Sequence, residues 1–139
     1  MTQAIKEKKQ IFDFVYNLSD IAAKQDWVFR YDPESDELSV TVPKLSKDAR
    51  IRYVNDEIAL YYSKNNQIEG LFIEYFRHNF IQHQSAFKNL KNLVNKITKK
   101  QPVQQDGLVE FSWKKIEKIA SDFDDAIKFS LVKDIQLQV

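Results

Sequence analysis

Between Trp27 and Tyr75 the apolar residues recur at every second position, and short polar turns interrupt that period four times. Alternation of this kind lines up one face of an extended strand and scatters around a helix, so this half of the chain is expected to form sheet. Trp27, Phe29 and Tyr31 alternate with Val28 and Arg30, and after the turn Asp32-Pro33-Glu34-Ser35-Asp36 the residues Leu38, Val40 and Val42 alternate with Glu37, Ser39 and Thr41. Pro43 cannot donate to a ladder and ends the second strand. A third strand sets Ile51 and Tyr53 inward with Arg50 and Arg52 outward, and Asn55-Asp56 turns into a fourth carrying Ile58, Leu60 and Tyr62. Lys64 to Gln67 turns again into Ile68 to Tyr75, which is apolar on both faces and belongs inside the sheet or under a helix. Gly70 within it marks a bulge or a close approach of backbones. A meander is the simplest order for strands joined this way.

The flanks have helical period. Residues 3 to 24 carry Phe12, Val15, Tyr16, Ser19, Ala22 and Ala23 at spacings of three and four. Residues 77 to 99 carry Phe80, His83, Phe87, Leu90, Val94 and Ile97 in a narrow stripe, and Gln101-Pro102 stops it. The last thirty residues fit two patterns. Trp113, Ile116, Ile119, Ala120, Phe123 and Ile127 suit a helix from about 112 to 125 with Ser112 as N-cap, while Ile127, Phe129 and Leu131, then Ile135, Leu137 and Val139, suit extended structure closing as a final strand. The expected fold is α+β over residues 1–139 as a single domain: an N-terminal helix, a five-stranded antiparallel meander, a long helix and a C-terminal helix. The sheet face bearing Trp27, Phe29, Leu38, Val40, Ile51, Tyr53, Leu60 and Tyr62 is expected to lie under the helices.

Composition excludes several chemistries. The 139 residues include no cysteine, two glycines and three prolines, with a net charge of +1. Thiol catalysis, disulfides and thiolate zinc sites are ruled out. Nucleophile-elbow, phosphate-loop and dinucleotide fingerprints all require glycines at short spacing, and with only Gly70 and Gly107 they are excluded. No apolar run reaches the roughly 20 residues that span a bilayer, and MTQAIKEKKQ lacks a leader's apolar core, so the cytosol is the expected compartment and no membrane partner is expected.

Four constellations could carry chemistry. Asp32, Glu34, Asp36 and Glu37 could offer oxygens to a hard cation, but they lack the spacing of a calcium loop and read as a solvated turn with a capping Asp. His78 and His83, five apart on a helix, lie about 140° apart and do not chelate together; His83 on the apolar stripe reads as a core or interface residue. From Tyr75 to Gln105 there is no acidic residue, and Arg77, Lys88, Lys91, Lys96, Lys99 and Lys100 could bind phosphates of a nucleic acid, although a solvated polar face is the stronger reading of them. Arg50 and Arg52 beside Glu37, Ser39 and Thr41 would form a mixed charged face, without the base, metal ligands and charge stabiliser of a nuclease. The aromatic load of ten Phe, six Tyr and two Trp exceeds what one face hides easily, and Tyr61, Tyr75, Phe76, His83 and Trp113 are the candidate interface residues.

Tyr31-Asp32-Pro33-Glu34-Ser35-Asp36-Glu37-Leu38 and Ile68-Glu69-Gly70-Leu71-Phe72-Ile73-Glu74 resemble the first hairpin and a later strand of small uncharacterised bacterial β-meander proteins. The resemblance covers about a third of the chain and implies a small sheet domain that often self-associates and has no established catalysis. The expected function is therefore a non-enzymatic interaction or regulatory module, self-associating or bound to a protein partner, with no catalytic residue, cofactor or metal. The alternative is a nucleic-acid binder using the basic face of helix 77–99.

Overall fold

A computed structural model describes residues 3–80, 109–116 and 123–131 of the chain. The fold class is α+β, and the described helices pack on one face of an antiparallel sheet. Helix α1 (Gln3–Tyr16) and helix α2 (Leu18–Lys24) occupy the span expected for one helix. Asn17 separates them: its backbone N–H turns back to the Phe14 carbonyl at 3.2 Å, and its side-chain amide donates to the Asp13 carbonyl at 2.8 Å. That local bond competes with the helical ladder, as Asn side chains do. Phe14, Val15, Leu18 and Ala22 are buried across the break. Asp26 ends α2 at φ 55°, where glycine is the usual residue, and the Trp27 N–H returns to the Ala22 carbonyl at 2.9 Å.

Six strands follow among the described residues: β1 (Val28–Asp32), β2 (Glu37–Thr41), β3 (Arg50–Tyr53), β4 (Ile58–Tyr62), β5 (Ile68–Ile73) and β6 (Val109–Ser112). Their spatial order is β3-β4-β5-β2-β1-β6, all antiparallel. The first five strands stand where alternation put them, but their order is not that of a plain meander. β2 pairs with β5, and residues 42–49 carry the chain across to the far edge, where β3, β4 and β5 return as consecutive hairpins. This is a Greek-key connection run in reverse. It puts β5, apolar on both faces, in the interior of the sheet.

The register Phe29↔Val40, Val40↔Leu71 and Leu71↔Leu60 defines the core face. Phe29, Tyr31, Leu38, Val40, Ile58, Leu60, Tyr62, Leu71 and Ile73 are buried there with the apolar residues of α1 and α2. Residues 123–131 are helical, and Phe123, Ala126, Ile127 and Leu131 add to the same cluster. The C-terminal helix is thus present but lies later than 112–125, with Ile127, Phe129 and Leu131 in it rather than in extended structure; the expected final strand at Ile135, Leu137 and Val139 lies outside the described residues. A sixth strand precedes the helix: Phe111 pairs with Phe29, the Trp113 N–H donates to the Trp27 carbonyl at 2.8 Å, and Trp113 opens one turn of 3-10 helix (Trp113–Ile116). Phe29 stacks on Trp113 at 5.4 Å and meets Phe123 edge-on at 5.2 Å. Of the long helix expected over 77–99, the described part is one π turn, Phe76–Phe80.

Candidate interaction surface

The face away from the helices is built from the alternate residues of each strand. One row crosses all six strands, Glu110–Arg30–Ser39–Phe72–Ala59–Tyr53, and the next runs Ser112–Val28–Thr41–Gly70–Tyr61–Ile51. None of these residues joins the hydrophobic cluster under the helices. The β6–β1 end is polar: Arg30 pairs with Glu110 at 2.8 Å and donates to the Thr41 hydroxyl at 3.0 Å and the Pro43 carbonyl at 3.0 Å. The β5–β3 end is aromatic. Tyr61 meets Phe72 edge-on at 6.4 Å, and on the edge strand Ile51 is 50% exposed and Tyr53 52% exposed. The Tyr53 hydroxyl donates to the Glu74 carboxylate, and that bond, with some burial, pushes the phenol up to about 12. Burial raises the Tyr61 phenol as well, with Glu37 adding to it.

This geometry corrects the expected parity of β3. Arg52 pairs with Leu60 and Arg50 with Tyr62, so both arginines lie on the helix side and Ile51 and Tyr53 face out. At the sheet edge the helix side is wet, and all four residues of β3 are exposed. The mixed Arg/Glu/Ser/Thr face does not assemble either, since β4 and β5 stand between β3 and β2.

The acidic turn folds onto itself. Asp32 accepts the Glu34 N–H at 3.0 Å, and Ser35 donates to Glu37 at 3.0 Å. Asp36, buried at φ 58°, reaches across to the start of the π turn. Its Oδ1 accepts the Tyr31 hydroxyl at 2.6 Å and the Arg77 N–H at 2.8 Å; its Oδ2 accepts the His78 N–H at 3.0 Å and lies 2.7 Å from His78 Nδ1. Burial alone would raise this carboxyl, but the bonds from Tyr31, Arg77 and His78 outweigh it and the net shift is downward. The Tyr31 phenol moves up, through burial and then through its bond to Asp36. Tyr, Asp and His here form a cap that ties the β1–β2 hairpin to the segment after β5. A second buried carboxylate, Asp124, accepts the Ser19 hydroxyl at 3.1 Å and lies 3.3 Å from Lys128; burial moves it upward.

Comparison with family models, curated proteins and solved structures gave no match. The site therefore rests on geometry. Among the candidate interface residues, Tyr61 lies on the open face and Tyr75 is 60% exposed. Phe76 and Trp113 are core residues, packed on Tyr31 and Phe80 in one case and on Phe29 and Phe123 in the other. His83 and the lysines Lys88, Lys91, Lys96, Lys99 and Lys100 lie outside the described residues; Arg77 is exposed beside the Asp36 cap. Among the described residues, no three His, Asp or Glu side chains come together as a metal site, and no helix is long and apolar enough to cross a membrane. An open groove of about 480 Å³ between the α1–α2 pair and the β4–β5 turn has Asp13, Asn17, Asp20, Lys24 and Gln67 on its walls. Two of its amides are already engaged with backbone carbonyls, Asn17 with Asp13 and Gln10 with Asn66.

Tyr75 holds φ 51°, a conformation that costs an L-residue roughly 1–2 kcal/mol and glycine little. Its ring is mostly in solvent. Tyr75→Gly is expected to raise stability by about 0.5–1 kcal/mol, read as a higher urea midpoint at unchanged slope. A lower midpoint would show that the exposed ring stabilises the fold.

Proposed function

We propose that this chain is a non-enzymatic interaction module whose working surface is the aromatic end of the open sheet face, centred on β3. One observation carries this reading: Ile51 and Tyr53, two large apolar side chains on an edge strand, are half exposed beside Tyr61 and Phe72. Edge strands are ordinarily blunted by charge, proline, bulges or cover, and here the charges stand on the helix side alone; tyrosine, phenylalanine and arginine are enriched where proteins meet. The two side chains together expose about 200 Å², taking half of about 200 Å² for each. A stable face-to-face dimer needs about 800 Å² from each partner, so the surface suits a narrow contact better than a broad one.

The test replaces Tyr53 by a photo-crosslinking phenylalanine analogue in the full chain, with the same analogue at Glu110 as the control on the polar end. Irradiation in extract of the source cells should give an adduct of defined mass from position 53 and not from 110, lost on adding Ile51→Asp. An adduct at twice the chain mass makes the partner a second copy, and another mass makes it a different protein. Equal labelling at both positions, or none at either, removes the proposal.

A further inference from the structure

We infer that β3 accepts an extended segment of a partner as a seventh strand, one that alternates acidic and apolar side chains. The inference rests on the reading of β3 as the contact surface and adds its mode and partner chemistry.

The backbone comes first. The Val54 N–H donates to the Ile58 carbonyl at 2.9 Å, which fixes the phase of the β3–β4 ladder. Antiparallel ladders alternate, so Arg50 and Arg52 also turn their backbone groups toward β4, while Ile51 and Tyr53 turn theirs outward. β3 is an edge of the sheet, and no described strand meets those two N–H and two C=O groups. Such a row is the template for strand addition, in which main-chain bonds supply affinity and alternate side chains supply specificity.

The two faces then define the partner. On the helix side an added strand would meet Arg50 and Arg52, both exposed. On the open side it would meet Ile51 and Tyr53, with Tyr61 behind them. An incoming strand is accommodated when it carries carboxylates at one parity and apolar side chains at the other. Opposite charges facing across a strand pair stabilise it, and like charges destabilise it.

That charge rule argues against a second copy as the occupant. In an antiparallel self-pairing through the outward groups, Arg52 faces its own copy or Arg50 faces Arg52. Both registers set two guanidinium groups side by side; the third, Tyr53 opposite Tyr53, sets Ile51 opposite Asn55, whose N–H is already turned to the Ile58 carbonyl, and leaves the pair at Tyr53 alone fully bonded. The occupant is therefore a different, acidic segment.

The test uses two capped, labelled hexapeptides, Glu-Val-Glu-Tyr-Glu-Val and Lys-Val-Lys-Tyr-Lys-Val, against the full chain, with anisotropy for affinity and amide hydrogen exchange for register. The acidic peptide should bind at least tenfold more tightly than the basic one and slow exchange at the Ile51 and Tyr53 amides. Arg50→Glu with Arg52→Glu should reverse that preference. Ile51→Pro removes one outward donor while leaving the β3–β4 bonds in place, and should weaken binding at least fivefold where Ile51→Ala does so less. Equal affinity for the two peptides, or no added protection at Ile51 and Tyr53, overturns strand addition. An adduct at position 53 in the crosslinking experiment together with that negative result would leave the contact surface standing and remove only the seventh strand.

Discussion

Asp36→Asn is expected to destabilise the fold by about 3 kcal/mol, lowering the melting temperature by about 10 °C. Asparagine keeps the shape of the side chain and tolerates the positive φ at this position, so the change isolates the loss of a carboxylate. Each oxygen of Asp36 faces two partners: Tyr31 and the Arg77 amide on one, the His78 amide and ring on the other. An NH₂ group in either place points a donor at a backbone donor. The Tyr31 hydroxyl can rotate to accept, but the amide hydrogens of Arg77 and His78 cannot. Asp36→Ala should cost about 1 kcal/mol more, because alanine adds left-handed backbone strain and leaves the buried Tyr31 hydroxyl without its acceptor. Chemical denaturation of the two variants beside Tyr31→Phe checks the assignment. If Asp36→Asn costs less than about 1 kcal/mol, the cap does not hold the hairpin to the segment after β5.

The same carboxylate gives stability a pH dependence whose sign follows from its shift. Its folded value is depressed, so its contribution is complete above the ordinary carboxylate range and is lost as pH falls through the folded value. Asp124 is shifted the other way, so its protonation in the folded state favours folding as pH falls. Between pH 5 and pH 2 the wild type should therefore lose more stability than Asp36→Asn, and the two unfolding curves should converge at the acid end.

The strands were legible in the sequence because each is a short alternating run between turns made of Asp, Asn, Pro and Ser, and those signals are local. The acidic turn read as solvated with a capping Asp, whereas the structure buries Asp36 and gives it distant amides to cap. What local pattern leaves open is pairing. Nothing in residues 37–41 says that their second neighbour is β5 rather than β3; the apolar character of Ile68–Ile73 on both faces is the one hint that β5 lies inside. The face of β3 was equally open, since Arg-Ile-Arg-Tyr has the same period whichever parity points inward. Its edge position decides the matter, because there the arginines reach water from the helix side. Ile51 and Tyr53 were thus assigned to the core and became the surface. Phe76 and Trp113 went the other way, because an aromatic count does not distinguish a core ring from an interface ring. In the C-terminal part, Val109 and Phe111 gain strand form only by pairing with Tyr31 and Phe29, about 80 residues earlier.

Gly70→Ala should be destabilising by about 3 kcal/mol, an overpacking cost at the upper end of its class. The reason is space rather than backbone conformation. A Cβ at residue 70 would sit 2.5 Å from Thr41 Cγ2, 2.7 Å from the Val40 carbonyl oxygen and 2.8 Å from Thr41 Cα. Two of these three atoms are backbone, so rotating a side chain does not relieve the contact, and β2 and β5 must move apart. They are held there by the Val40↔Leu71 and Thr41↔Gly70 register and by the bond from the Val42 N–H to the Glu69 carbonyl at 2.9 Å. The same residue lies opposite Tyr61, where the β4–β5 register slips, so a displaced β5 would pass its shift to the aromatic end of the open face. Thr41→Ser removes Cγ2 and keeps the hydroxyl that Arg30 bonds, which makes the double variant informative. Rescue of less than half of the loss places the clash on the backbone of β2, as the distances require. Full rescue would assign it to the threonine methyl group and leave the close approach of the two strands without a role in stability. Because β3 hangs on β4 and β4 on β5, Gly70→Ala should also alter amide exchange at Ile51 and Tyr53 without touching either residue.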